Sequence, residues 1–309
     1  MSWAVEAENL TKVFGNVVAL NNINLKLDKG KVHVIAGPNG AGKTTFLRIL
    51  YTELLPTTGN VKVLSYDIYK EAAEIRKRIG VLPQEIVPYE DLSVWEHVYF
   101  LALLKGLDRR LAAAETSGLL KLFGIHDRSK TLVRDLSGGL KRQVLLIQSL
   151  IGRSDLLLLD EPTAGLDPQT RQKVWEIIHE IHQKNNITVI ITTHYLDEIQ
   201  DLVDRVIIFN KGSILMDGDV ANVLNTLGYH MQVKLKIAPE KQEKVSNTLK
   251  AFGLKNSILP DGTITLWVST HLVKPLFDFI KEQRLKPEDI EFRRPSLEEA
   301  YLNIVRGAK

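Results

Sequence analysis

The stretch Gly37-Pro38-Asn39-Gly40-Ala41-Gly42-Lys43-Thr44-Thr45 constrains this chain more than any other, because it fits G-x-x-x-x-G-K-[ST] without a mismatch. Before it stands the apolar run Val32 to Ala36, suited to a buried strand. After it, Phe46 to Leu50 begin a helix with an apolar face. Strand, loop and helix in that order are the context the motif requires. Glycines at 37, 40 and 42 let the backbone turn tightly and bring its N–H groups to an anion, and the helix N-terminus adds a favourable dipole. Lys43 is expected to reach the β- and γ-phosphates of a nucleotide and the Thr44 hydroxyl to ligate Mg²⁺.

A second chemical signal lies at Leu156-Leu157-Leu158-Leu159-Asp160-Glu161, where a greasy strand delivers two carboxylates to its carboxyl end. That edge is where open α/β sheets bind ligands. Asp160 can hold Mg²⁺ directly or through water, and Glu161 is placed to polarise an attacking water. Two adjacent buried acids are costly without a cation or another compensating partner.

The remaining candidates are ambiguous one at a time. Phe14 ends an early strand and either packs on the core or offers its ring to a base. Gln84, after the apolar run Ile79 to Pro83, reads equally as a loop residue. Ser137-Gly138-Gly139 opens a helix either as a simple cap or as a second anion cradle with uncovered N–H groups. His194 follows the strand Ile187 to Thr193 and either contacts a phosphate or caps a helix from Tyr195 to Asp201.

Around these landmarks the pattern predicts Ala4 to Leu10 and Val17 to Leu27 as a small antiparallel sheet, and Val61 to Tyr66 as a strand. Residues 85–150 form a helical insert, with a capping box at Ser93-Val94-Trp95-Glu96. A hairpin at 206–216 and a helix from Asp219 to Leu227 close the first domain, 1–228. From 229 to 309 the pattern restarts as a small α/β domain of three strands and three helices, read as a docking, dimerising or regulatory part.

Composition narrows the class. Of 309 residues, 44% are hydrophobic and 25% charged, and the net charge of +3 is spread rather than gathered into a basic tract, so charge does not argue for nucleic acid. No apolar stretch is long enough to cross a bilayer, the N-terminus lacks a signal pattern, and there are no cysteines for disulfides. A soluble, cytoplasmic chain is expected.

Together these pieces resemble the nucleotide-binding subunit of ATP-binding cassette (ABC) transporters over residues 1 to about 228. The resemblance implies a P-loop NTPase (RecA-like) α/β core with an N-terminal antiparallel β subdomain and an α-helical subdomain, followed by the small C-terminal α/β domain. It identifies Gly37 to Thr44 with Walker A, Leu156 to Asp160 with Walker B, and Leu136 to Gly139 with the signature. Phe14 falls on the aromatic that stacks on adenine, Asp167 on the D-loop aspartate, and Glu161 and His194 on the catalytic glutamate and switch histidine. Gln84 falls on the Q-loop glutamine, which joins catalysis and the metal site with Thr44 and Asp160. Leu140 departs from the pattern, where a glutamine is common, and leaves Ser137, Gly138 and Gly139 intact.

The resemblance further implies ATP and Mg²⁺, and a head-to-tail dimer in which each ATP lies between Gly37 to Thr45 of one subunit and Ser137 to Gly139 of the other. It also implies a separate integral membrane permease, engaged through residues 85–105. The tail Arg294 to Leu302 looks like that of ABC-2 type and multidrug exporters, so export is the expected direction, with the chain on the cytoplasmic face of the membrane. The alternative class is a soluble cassette ATPase of translation or DNA repair; the single cassette and the short interval from Gln84 to Leu136 speak against it.

Overall fold

The computed structural model describes residues 3–283 and 285–307. They fall into two compact units, Met1–Asp219 and Val220–Lys309.

The first unit begins with β1 (Trp3–Phe14) and β2 (Val17–Asp28), paired antiparallel through the register Ala7 to Leu25 and Leu10 to Ile23. Next come β3 (Val32–Ala36) and α1 (Lys43–Leu50), with the glycine-rich loop between them. β4 (Thr58–Val63) and β5 (Tyr66–Asp67) return to the first sheet, whose order is β2-β1-β4-β5. The single strand expected from Val61 to Tyr66 is therefore broken. Leu64 and Ser65 take left-handed φ values of 54° and 75° and turn the chain back on itself. Neither is a glycine or asparagine, so composition does not announce the turn.

α2 (Ala72–Arg78) leads into β6 (Ile79–Leu82), and the helical region follows as α3 (Val94–Leu104), α4 (Arg109–Leu122) and α5 (Gly138–Leu150). α3 opens on a complete capping box, Ser93 accepting from the Glu96 N–H and Glu96 from the Ser93 N–H. Asp108 caps α4 by accepting from the Arg110 and Leu111 N–H groups.

β7 (Leu156–Asp160), α6 (Pro168–Asn185), β8 (Thr188–Thr192), β9 (Arg205–Asn210) and β10 (Ser213–Asp219) complete the unit. The larger sheet runs β10-β9-β3-β8-β7-β6, parallel except for the β10 edge. β3, β7 and β8 are buried along their whole length, which is why they read as continuous apolar runs rather than alternations. Register sets the functional edge: Ile35 pairs with Thr192 and Asp160 pairs with Thr192, so β3, β8 and β7 end level with one another. After β8 the helix expected from Tyr195 to Asp201 is only a 3₁₀ turn, Asp197–Ile199.

The second unit starts with α7 (Val220–Asn225), the helix that the sequence pattern assigned to the end of the first domain; here it packs on the final helix. Its other elements are β11 (Met231–Leu235), α8 (Pro239–Ala251), β12 (Lys255–Ile258), β13 (Ile264–Val268), α9 (Val273–Glu282), β14 (Ile290–Arg293) and α10 (Leu297–Gly307). The sheet order is β12-β13-β11-β14, all antiparallel, which makes β11 to β14 a split β-α-β-β-α-β arrangement. Val233, Leu235, Ile264, Leu266 and Val268 face Val245, Leu249, Leu276 and Phe279 from the two helices. Among the described residues there are four strands, not the three expected. β12 was missed because it is a short edge strand whose side chains are mostly exposed, so no apolar alternation marks it.

Candidate functional site

The glycine-rich loop is held by backbone approaches that leave no room for side chains. A Cβ on Gly37 would stand 2.4 Å from the Phe209 carbonyl oxygen. At Gly42, φ is +105° and a Cβ would stand 2.5 Å from the Ala19 carbonyl oxygen, so both conformation and space demand glycine. Ala41 N–H donates to the Pro38 carbonyl at 3.1 Å and closes the loop. Pro38, Asn39, Gly40 and Ala41 thus form the arch, and Lys43, Thr44 and Thr45 the first turn of α1. Lys43 is 7% exposed, and its Nζ donates to the carbonyls of Gly37 at 2.8 Å and Pro38 at 3.2 Å. Burial lowers the Lys43 pKa, while the charges of Glu161 and Asp160 oppose that shift.

At the ends of β7 and β8 a single threonine organises both carboxylates. The Thr192 hydroxyl donates to Asp160 Oδ1 and accepts the Glu161 N–H at 3.0 Å, which also reaches the Thr192 carbonyl at 3.1 Å. Glu161 takes a left-handed φ of 49°, turning its side chain away from the strand direction; its Oε1 lies 2.9 Å from His194 Nε2. The distance is that of a hydrogen bond from the His194 ring to the carboxylate. Thr44 Oγ1 donates to Gln84 Oε1 at 3.2 Å.

These atoms also answer which residues could hold a metal. Asp160 is 1% exposed, and its Oδ2 is buried with no hydrogen-bond partner among the described residues. Such an oxygen is costly unless something binds it. One carboxylate with the hydroxyl of Thr44 and the amide oxygen of Gln84 makes an all-oxygen donor set of the kind Mg²⁺ accepts when water and phosphate complete its shell. No group of three or more His, Cys, Asp or Glu suited to a metal occurs among the described residues.

The structure thus brings Glu161 and His194 into contact, joins Asp160 to the Glu161 N–H through Thr192 and Thr44 to Gln84, and sets Lys43 where it feels the charge of both acids. The other candidates make their contacts within their own segments. Phe14 is 44% exposed, with Lys12 Nζ 4.9 Å from its ring centroid. Ser137 Oγ accepts the Leu140 N–H at 3.4 Å and caps α5, while a Cβ on Gly138 would meet nothing within 4 Å. Asp167 caps α6 through the Thr170 hydroxyl and N–H, contacts that lower its pKa.

Two residues of the site were not singled out from the sequence. Thr192 is one; a polar residue ending a greasy strand two places before His194 was its only signal. Arg142 is the other. From α5 its guanidinium donates to the carbonyls of Asp160 (2.8 Å), Glu161 (2.7 Å), Pro162 (3.3 Å), Pro83 (3.4 Å) and Gln84 (3.4 Å). It staples the signature helix to the acidic strand end and to the Gln84 loop. Nothing in the string Lys141-Arg142 distinguishes it from its neighbour, whose Nζ reaches Glu90 instead.

Comparison with known proteins agrees with this geometry. The family model described as ABC transporter matches residues 20–164. The daunorubicin resistance ATP-binding protein DrrA3 of Streptomyces coeruleorubidus is 31% identical over 97% of this chain and 95% of its own length. The phospholipid-transporting ATPase ABCA3 of Homo sapiens is 37% identical over 74% of this chain, which spans only 14% of that protein. Among solved structures, a dimeric ATP-binding cassette in a post-hydrolysis state bound to ADP and Pi superposes with a TM-score of 0.65 at 25% identity, over 70% of this chain and 98% of that one. The chain belongs to the ABC transporter family and is an ATP-binding, ATP-hydrolysing subunit of such a transporter.

Proposed function

We propose that two copies of this chain close head to tail around ATP and Mg²⁺ and drive a separate membrane permease in the direction of export. The observation that carries the catalytic part is the bonded group Asp160, Thr192, Glu161 and His194 beside Lys43. Lys43 neutralises charge on the β- and γ-phosphates, and the loop N–H groups orient them. Mg²⁺, held by Thr44, Gln84 and Asp160, supplies further neutralisation of the phosphate oxygens when bound. Glu161 accepts the proton of the attacking water, and His194, whose ring N–H donates to the Glu161 carboxylate in the unclosed site, turns toward the γ-phosphate as the site closes. Phe14 stacks on the adenine. Asp167 carries the state of one site to the other.

The two-subunit reading is supported by the first turn of α5. Gly138 and Gly139 put no side chains over that turn, and Ser137 bonds only within its own helix in the contacts described. The dimeric form of the solved relative points the same way. Loss of the γ-phosphate then removes the contact that distinguishes the closed state from the open one, so hydrolysis releases the pair.

Permease docking is supported by a groove of about 680 Å³ in the segment after Gln84, lined by Pro88, Tyr89, Leu92, Tyr99, Phe100 and Leu103 together with the acidic Glu90, Asp91 and Glu96. Tyr89 and Phe100 are 56% and 44% exposed there, an apolar patch suited to a partner. No helix among the described residues is long and apolar enough to cross a membrane; in this reading the pathway belongs to the partner, and the chain sits on the cytoplasmic face. One relative is named for resistance to daunorubicin and another for phospholipid transport, which favours amphiphilic cargo. Pull-down from detergent-solubilised membranes is expected to recover a multi-span protein, and Tyr89→Glu with Phe100→Glu to abolish its recovery. Recovery of ribosomes or DNA-bound complexes instead would contradict the proposal.

A further inference from the structure

Arg171 lies on α6, one helical turn beyond Asp167, and its side chain is 16% exposed. Its Nη1 donates to the Leu166 carbonyl at 3.2 Å, on the peptide that leads into Asp167. Its Nε donates to Glu198 Oε1 and Oε2 at 2.9 and 3.1 Å, and Nη2 stands 2.7 Å from Oε1. The guanidinium carbon sits 4.3 Å from the ring centroid of Tyr195, the residue after His194. Trp175, one turn further along α6, donates its indole N–H to Glu198 Oε2 at 3.2 Å and so fixes the far end of the pair.

This arrangement meets a structural need. The segment after His194 makes one 3₁₀ turn and no α-helix; its backbone bonds are local, from the Ile199 N–H to Leu196 and from the Leu202 and Val203 N–H groups to Ile199, and Leu196 and Ile199 are buried, so the spacing of Tyr195 from the Asp167 loop is left to side-chain contacts. His194 is 47% exposed, and its Nε2 contact with Glu161 depends on where that segment sits. We propose that Arg171 is a positioning residue for ATP hydrolysis: it ties the backbone before Asp167 to the ring after His194, so the two loops keep one spacing and His194 stays against Glu161. A planar fork that bonds a carbonyl and a carboxylate while stacking on a ring is a geometry that lysine cannot reproduce. Arg171 makes none of the phosphate-loop contacts, so ATP binding is independent of it. The coupling of closure to His194 rests on the two-subunit reading above; the effect on turnover within one site does not.

The test measures kcat and ATP affinity for Arg171→Ala, Arg171→Lys, Tyr195→Ala and Tyr195→Phe in the full chain. Arg171→Ala, Arg171→Lys and Tyr195→Ala are expected to lose about tenfold or more in kcat, with ATP affinity held within about twofold. Tyr195→Phe, which keeps the ring, is expected to recover most of what Tyr195→Ala loses. Wild-type kcat in Arg171→Lys and Tyr195→Ala overturns the proposal, as does a fall in ATP affinity that matches the fall in kcat. Glu161→Gln is run beside them: if it forms no dimer with ATP, the two-subunit reading fails, and the kcat comparison still decides whether Arg171 positions His194.

Discussion

Thr192 holds the chemistry together at the scale of single residues. Its hydroxyl is the one donor to Asp160 Oδ1 that the structure shows, and Asp160 Oδ2 has none among the described residues. Thr192→Val removes that donor while keeping shape, leaving a buried carboxylate with no protein hydrogen bond. The Glu161 N–H keeps the Thr192 carbonyl, so the backbone turn survives. A loss of about 1–3 kcal/mol in urea unfolding is expected, together with a marked fall in ATPase activity, and Thr192→Ser should recover both. An unchanged unfolding midpoint in Thr192→Val would show that the hydroxyl contributes nothing to holding Asp160.

Elements place these residues, and their own ends are secured locally. Ser93 and Glu96 close a reciprocal cap at the start of α3, beside the groove proposed for the permease. Ser93→Ala is expected to lower stability by about 1 kcal/mol in thermal or urea unfolding and to leave ATP hydrolysis by the isolated chain intact. A larger loss would mean that the helical region depends on the cap for more than its first turn. This cap was legible in the sequence, as were the strand before Gly37 and the strand before Asp160. In each case the local chemistry, an S-x-x-E box or an unbroken apolar run, matches what the element needs. The break at Leu64 and Ser65 was not, because left-handed conformations at ordinary residues are imposed by the surrounding sheet. Nor was the short turn after His194. There Arg171 reaches from α6 to bond Glu198 and stack on Tyr195, and such a long-range contact leaves no local pattern.

For the whole molecule, the sequence offers one anion cradle at Gly37 to Thr45 and a second candidate at Ser137 to Gly139, and only the family resemblance says how they meet. The fold brings the phosphate loop, Asp160, Glu161 and His194 to one sheet edge through the level ends of β3, β8 and β7. Ser137 to Gly139 instead begin a helix whose first-turn N–H groups face the demands of a second copy in the proposed closure. Arg142 links the halves mechanically, since the signature helix that would grip a partner's nucleotide also clamps the backbone of this chain's own Asp160 and Glu161. In the proposed dimer, grip on one nucleotide would thereby be tied to the geometry around the other. The most direct test is sedimentation velocity of the Glu161→Gln chain, which should retain ATP binding but lose most hydrolysis. With Mg²⁺ and saturating ATP it is predicted to sediment as a dimer, and with ADP as a monomer; a monomer under saturating ATP would contradict the account.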